Sequence, residues 1–116
     1  MAFNHDIKEQ DGIQVISMSG RLLHMDEARL LDADIDALLE KGAKHFCVDM
    51  AGLQHMNSTG LGLLVRFLTR IRNTGGELVL THVNDTLNKL LLITKLERVF
   101  SITESVDEAA DLLKNG

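Results

Sequence analysis

Polar and apolar side chains alternate at the start of the chain in a pattern that predicts two strands and a tight turn. Residues 3–8 alternate at every second position, as in a half-exposed strand. Asp11-Gly12 suits the positive φ angles of a hairpin turn, and the second strand is predicted over residues 13–19, with Gly20 ending it. The chain is therefore expected to open with an antiparallel hairpin.

The rest of the chain switches between helical spacing and short apolar runs. Apolar residues recur at helical spacing from Asp26 to Lys41, and Gly42 is placed to end that helix. The run from Phe46 to Met50 lacks alternation, which indicates a strand buried on both faces. The later predicted elements are a helix beginning near Ser58, a strand over Glu77 to Thr81, a helix capped by Asn84 or Asp85, a strand over Val99 to Thr103, and a helix after the capping box of Ser105 and Glu108.

This order predicts an α/β fold with a mixed, mostly parallel sheet of about five strands, an antiparallel N-terminal strand and about four helices. Alternation of strands and helices after the hairpin implies right-handed crossover connections. Periodicity alone leaves open whether the helices cover one face of the sheet or both. With 116 residues, the chain is expected to form a single domain over residues 1–116.

Composition and charge narrow the classes of function. A formal charge of -5 and a pI near 5.4 argue against a nucleic-acid surface. Arg66, Arg70 and Arg72 are interpreted as one solvated helix face. Cys47, the only cysteine, is expected to be a buried and inert thiol. The N-terminus lacks a signal-peptide pattern and no run reaches membrane-spanning length, so we expect a cytoplasmic protein without membrane insertion.

The segment from Asp49 to Leu64 is where function is expected. A loop after the buried strand delivers Ser58 to a helix N-terminus, where unpaired N–H groups and the helix dipole would stabilise an acceptor oxygen or a phosphate. The alternative is that Asn57 or Ser58 simply caps the helix. Leu63 is predicted to point away from the apolar stripe of this helix, with Phe67 at its margin, so both are candidates for a partner-binding face.

Several kinds of chemistry are not predicted. A nucleophile elbow around Ser58 would need glycine where Met56 stands, and no phosphate-binding loop with Gly-Lys-Ser or Gly-Lys-Thr is present. His82 and Asp85 follow Ser58 in the wrong order for the triad of that fold. The histidines show no metal-ligand spacing, although His55 lies three residues from Ser58. We therefore expect no enzyme activity, no metal and no cofactor.

The same segment carries a resemblance to a known family. Asp49, Leu53 and the run from Met56 to Gly62 resemble the STAS domain of bacterial anti-sigma factor antagonists, with weaker matches at Ser19 to Leu22 and Thr94 to Leu96. The resemblance implies a STAS-like fold whose helices pack mainly on one side of the sheet. It also implies that Ser58, rather than the neighbouring Thr59, is phosphorylated by a partner kinase.

The resemblance further implies a partner-switching regulatory protein. Such a protein binds a serine kinase that acts as an anti-sigma factor, frees the sigma factor, and is returned to its active form by a serine phosphatase. The partner-binding residues expected on this basis are Asn57, Ser58, Thr59, Gly60, Leu61, Gly62, Leu63 and Asp26. The alternative is a STAS adaptor subunit of a lipid-transport or stress-signalling complex that does not switch. A small-ligand module has only the general anion affinity of helix N-termini behind it.

Two positions depart from the family pattern. Phosphorylated members usually carry aspartate where this chain has Asn57, and again where it has Leu23. Asp26, three residues after Leu23, is a candidate substitute for the second carboxylate. These changes imply either a retuned kinase interface or the loss of phosphorylation.

Overall fold

The computed structural model describes residues 2–115. It contains five strands, one 3-10 helix and four α-helices. The strands are β1 (Asn4–Gln10), β2 (Ile13–Leu22), β3 (His45–Met56), β4 (Glu77–Thr81) and β5 (Ser101–Thr103). The helices are a 3-10 turn, η1 (Met25–Ala28), then α1 (Arg29–Glu40), α2 (Ser58–Asn73), α3 (Asp85–Ile93) and α4 (Val106–Asn115).

The strands form one mixed sheet in the order β1-β2-β3-β4-β5. Strand β1 is antiparallel to β2, and every later pairing is parallel. Asp11 and Gly12 turn the opening hairpin at φ angles of 54° and 81°, as their sequence predicts. The mixed sheet with an antiparallel first strand is therefore confirmed.

Three α-helices cover one face of the sheet and α4 covers part of the other. The larger core cluster joins alternate strand residues such as Ile16, Val48 and Leu80 to apolar residues of α1, α2 and α3. The smaller cluster joins the intervening strand residues, including Val15 and Cys47, to α4. The expectation that the helices lie mainly on one side is confirmed, and burial of β3 on both faces explains why its first half shows no alternation.

Strand β2 is longer than predicted, because Gly20 does not end it. Gly20 lies within β2 at φ +86°, and a side chain there would place Cβ 2.0 Å from the carbonyl oxygen of Ala2. The glycine is therefore required by close passage of the N-terminal backbone, and the strand continues to Leu22. Glycine usually signals a turn, so this use of Gly20 within a strand cannot be predicted from the sequence.

Strand β3 is also longer than predicted, since the expected loop after Met50 is extended chain that pairs with the second half of β2. Gly52 is opposite Ser19, and Met56 is opposite Leu22. The register shifts between Ser17 and Ser19, and only Leu53 among residues 51–55 is buried. An irregular strand packed through one residue has too little pattern to be recognised from sequence.

Smaller differences occur at other boundaries. The predicted helix from Asp26 divides into η1 and α1, and β5 begins at Ser101 rather than Val99. Of the two predicted caps of α3, Asn84 is the cap, and its side chain accepts from the N–H of Leu87. The Oγ of Ser105 accepts from the N–H of Glu108, as in a capping box, but the Glu108 carboxylate accepts from the N–H of Glu104 instead of that of Ser105.

The predictions for Cys47 and for the three arginines differ in outcome: Cys47 is buried as predicted, whereas the arginines are not all solvated. Burial in the sheet raises the pKa of the Cys47 thiol to about 12, and the nearby charge of Asp49 acts in the same direction. The predicted burial of this thiol is confirmed. The arginines do not form one solvated face, because Arg70 is half-buried against Asp32 and Asp36 of α1, while Arg72 bonds to Glu77.

Candidate functional site

Ser58 lies at the point where the sheet delivers the chain to α2. Strand β3 ends at Met56, and Asn57 is the N-cap, with extended φ and ψ angles of −110° and −170°. The side-chain oxygen of Asn57 accepts from the backbone N–H of Gly60 at 3.0 Å. Ser58 is therefore the first residue of the helix and its side chain is exposed, so the predicted placement is correct and the cap is Asn57.

The electrostatics of this helix end favour an anion. The first turn of α2 contains no acidic residue, whereas Arg70 and Arg72 occupy the last turn. The N-terminus of a helix carries a partial positive charge from its unpaired N–H groups. A negative group on Ser58 would therefore meet a favourable field that no neighbouring carboxylate of the same turn cancels.

Gly60 allows strand β2 to pass close to the first turn of α2. A Cβ atom at Gly60 would lie 2.4 Å from the carbonyl oxygen of Leu22 and 2.7 Å from the Cγ of Met56. By contrast, a Cβ atom at Gly62 would meet no atom within 4 Å. The two glycines of the motif therefore differ: Gly60 is required for packing, and Gly62 leaves open space on the exposed side of the helix.

The turn after β2 is hydrogen-bonded to the same helix end. The side-chain Nδ2 of Asn57 donates to the carbonyl oxygen of Leu23 at 3.1 Å. The carboxylate of Glu27 accepts from the N–H groups of Leu23 and His24, each at 2.9 Å. These two donors lower the pKa of the Glu27 carboxyl below its ordinary value. The η1 segment and Ser58 are thus connected through the backbone of Leu23.

The predicted partner-binding residues divide into two groups. Asp26 and the side chains of Asn57, Ser58 and Thr59 are exposed, as is Gly62, whereas Gly60, Leu61 and Leu63 are buried. The predicted outward orientation of Leu63 is wrong: it is 4% exposed, and Phe67 is fully buried. The reason is that α2 is covered on two sides, by the sheet and by η1 with α1, so its buried surface is wider than one stripe.

An exposed apolar residue near this site, Met25 in η1, is not indicated by the sequence pattern. Met25 is 56% exposed. A shallow groove of about 190 Å³ beside it is lined by Met25, Asp26, Leu63 and Arg66, among others. Met25 precedes the helix predicted from Asp26, so no helical spacing includes it.

Asp49 and His82 form a contact that the sequence did not suggest. The Oδ1 of Asp49 lies 2.8 Å from the Nδ1 of His82 and accepts from the N–H of Ala51 at 3.0 Å. His82 follows β4 with a φ angle of 57°. Asp49 is therefore a mid-strand residue joined to the end of the neighbouring strand. His55 is exposed on β3.

No cluster of metal-ligating side chains is found within residues 2–115. No helix in that part of the chain is both long and apolar enough to cross a bilayer.

Comparison with known proteins identifies the family. The sequence profile of the STAS domain matches residues 4–109. The chain belongs to the STAS domain family. The resemblance seen in the sequence is thereby confirmed. STAS anti-sigma factor antagonists are regulatory proteins rather than enzymes, as predicted for this chain.

Individual relatives agree with this assignment. A Thermotoga maritima protein is 28% identical over 98 residues, which are 84% of this chain and 87% of that protein. The crystal structure of a Thermotoga maritima protein matches with a TM-score of 0.83 at 24% identity, covering 95% of this chain and 94% of that one. The anti-sigma F factor antagonist of Paenibacillus polymyxa is 24% identical over 100 residues, covering 86% of each chain.

The fold also matches the structure of the anti-sigma factor antagonist SpoIIAA in its unphosphorylated form. The TM-score is 0.80 at 19% identity, covering 97% of this chain and 98% of that one. The phosphorylated form of Bacillus SpoIIAA matches with a TM-score of 0.72 at 21% identity, covering 93% and 97%.

Proposed function

We propose that this chain is an anti-sigma factor antagonist controlled by phosphorylation at Ser58. In this role it binds a serine kinase that acts as an anti-sigma factor and thereby frees the sigma factor. The kinase transfers phosphate from ATP to the Ser58 hydroxyl, and a serine phosphatase removes it by hydrolysis. The chain acts in the cytoplasm as a ligand and substrate, and it catalyses no reaction.

The observation that supports this proposal most strongly is the exposed Ser58 at the first position of α2. An exposed hydroxyl is accessible to a kinase, and a phosphate there would lie at the positive end of a 16-residue helix. The fold could therefore accept the modification without rearrangement. The relative named as an anti-sigma F factor antagonist and the SpoIIAA structures support the same role.

The proposed partner surface surrounds Ser58. Its exposed members are Asn57, Thr59, Gly62 and Asp26, and Met25 extends it with apolar area. The buried members would not contact the partner. They would hold in place the helix and the turn that carry the exposed groups, and they are Gly60, Leu61 and Leu63. Open space over Gly62 would let a partner approach the helix backbone closely.

The switch itself would be electrostatic. Phosphate adds roughly -1.5 to -2 charges at pH 7 at one point of the surface. A partner surface that is acidic or apolar at that point would be repelled or would have to bury an unpaired charge. Phosphorylation would therefore weaken the complex while leaving the fold of the antagonist unchanged.

Intact-mass spectrometry tests whether the modification occurs. Wild type and Ser58→Ala are each incubated with native-host lysate and ATP, in a lysate shown to phosphorylate a control substrate. We expect a single phosphate on wild type and none on the variant, because Thr59 is not the acceptor. Wild type that stays unmodified would contradict the proposal, and phosphate retained by the variant would move the site elsewhere.

A constitutive adaptor subunit is the second candidate. It is favoured by Asn57 and Leu23, because both positions lack the carboxylate usual in phosphorylated members of the family. The same mass measurement separates the two functions, since an adaptor of this kind would carry no phosphate.

A further inference from the structure

A chain of hydrogen bonds joins Ser58's helix to the η1 segment. From the helix outward, the N–H of Gly60 donates to Asn57 Oδ1, and Asn57 Nδ2 donates to the carbonyl oxygen of Leu23. On the other side of the same residue, the N–H of Leu23 donates to Glu27. Both polar groups of the Leu23 backbone are thus held by side chains, one from α2's cap and one from η1.

A carboxamide suits the central position of this series of hydrogen bonds, because it carries both an acceptor and a donor. Its oxygen must accept from Gly60 while its nitrogen donates to Leu23. An ionised aspartate would keep the cap but has no proton to donate, and it would place a negative oxygen against the Leu23 carbonyl. A serine would also keep the cap, without charge, but its short side chain could not serve both partners.

We infer that Asn57 is a positioning residue that fixes the η1 segment beside Ser58, so that a partner recognises the two as one surface. The inference rests on the proposed function, for which Ser58 is the modified residue. Residues Met25 and Asp26, which flank Ser58's helix from η1, follow the Leu23–His24 backbone directly. Freeing Leu23 from Asn57 would let their side chains shift relative to the Ser58 hydroxyl.

A purely local capping role for Asn57 makes a different prediction. Capping concerns only the Gly60 N–H, so any good cap would suffice and the Leu23 turn would be unaffected. Asn84 offers a matched control, because it caps α3 in the same manner, accepting from Leu87 at 2.9 Å, while its Nδ2 lies 3.4 Å from the Leu53 oxygen. Asn84→Ser therefore makes the same chemical change at a helix that does not carry Ser58.

Hydrogen exchange measured by NMR tests the positioning directly. In Asn57→Ser and in Asn57→Asp, we expect the amides of Leu23 and His24 to exchange about 2- to 10-fold faster. The reason is that loss of the hydrogen bond from Asn57 to the Leu23 carbonyl lets this turn open more often. The amide of Gly60 should be nearly unchanged, since either residue still caps it. Asn84→Ser should leave exchange at Leu23 and His24 at the wild-type rate. Wild-type exchange at both amides in Asn57→Ser would overturn the inference.

The rate of Ser58 phosphorylation in native-host lysate with ATP tests recognition. We expect Asn57→Ser to be modified about 10-fold more slowly than wild type, and Asn84→Ser at the wild-type rate, since displacement of a positioned reacting group is costly. Equal rates for Asn57→Ser and wild type would overturn the inference alone. A loss confined to Asn57→Asp would also overturn it, because charge rather than position would then be the cause. An unmodified wild type would instead refute the proposed function, and the recognition role with it.

Discussion

At the scale of single residues, the exposed and the buried positions of the motif around Ser58 have different roles. Asn57 caps the helix and donates a hydrogen bond to the Leu23 carbonyl. Gly60 allows the end of β2 to pack closely, and Gly62 faces open space. The two glycines look equivalent in sequence but have opposite requirements for volume. Substituting each of them separates packing from surface effects.

We predict that Gly60→Ala destabilises the protein and Gly62→Ala does not. The Cβ at Gly60 would lie 2.4 Å from backbone oxygen that cannot easily move, and overpacking of this kind costs about 1–3 kcal/mol. At Gly62 the methyl group meets nothing, and alanine gains helix propensity of up to about 1 kcal/mol. Urea unfolding of the two variants measures the difference. Equal free energies of unfolding would contradict the close approach of β2 to α2.

Single residues also show where sequence reasoning reached its limit. Ser58 could be placed at a helix N-terminus because the apolar pattern resumes directly after small polar residues. The burial of Leu63 could not, since it depends on η1 folding over a second side of α2. The contact between Asp49 and His82 joins residues 33 apart in the chain, and no local pattern encodes it.

At the scale of elements, α1 and α2 are held together by charged as well as apolar contacts. Arg70 pairs with Asp32, reaches Asp36 at 2.9 Å, and lies 5.8 Å from the centroid of the Phe67 ring. Arg66 reaches Asp32 only at 3.8 Å and is more exposed, at 52% against 27% for Arg70. The arginines of this helix are therefore unequal contributors to the packing of the two helices.

We predict that Arg70→Ala lowers the free energy of unfolding more than Arg66→Ala does. Loss of charge-assisted hydrogen bonds and stem packing at Arg70 should cost about 1–3 kcal/mol. An exposed pair such as that of Arg66 contributes about 0–1 kcal/mol. Chemical denaturation at low and high salt measures both variants. Equal costs for Arg66→Ala and Arg70→Ala would contradict the unequal contribution of the two arginines.

The elements predicted correctly are those in which one hydrophobic period continues along the whole element. The parts that are not predicted depend on backbone geometry. Strand β4 was predicted with the bounds that the structure gives it, because a compact apolar run follows Gly75-Gly76. The end of β2, residues 20–22, is not predicted because it pairs only with the end of β3, through a shifted register. Gly20 does not end the strand for a different reason: it is required where the N-terminal backbone passes close to β2, and such a tertiary requirement leaves no local pattern.

At the scale of the whole molecule, Ser58 lies beside a sheet that is packed against helices on both faces. The sheet is covered by three helices on one face and α4 on the other, and Ser58 stands at the junction of β3 and α2. The order of elements was enough to predict this α/β arrangement. The choice of helix faces came from the family resemblance, because periodicity does not state which face of a sheet a helix covers.

Charge at Ser58 is expected to change the affinity for the partner without changing the fold. Calorimetric titration of wild type and Ser58→Asp onto the kinase that modifies Ser58, with thermal unfolding of both proteins, tests this claim most directly. We predict at least about 10-fold weaker binding for Ser58→Asp, from charge repulsion at the interface. We also predict an unfolding free energy that is unchanged or higher by about 0.3–1 kcal/mol, since aspartate suits a helix N-terminus. Equal affinities, or weaker binding accompanied by a marked loss of stability in Ser58→Asp, would contradict the account.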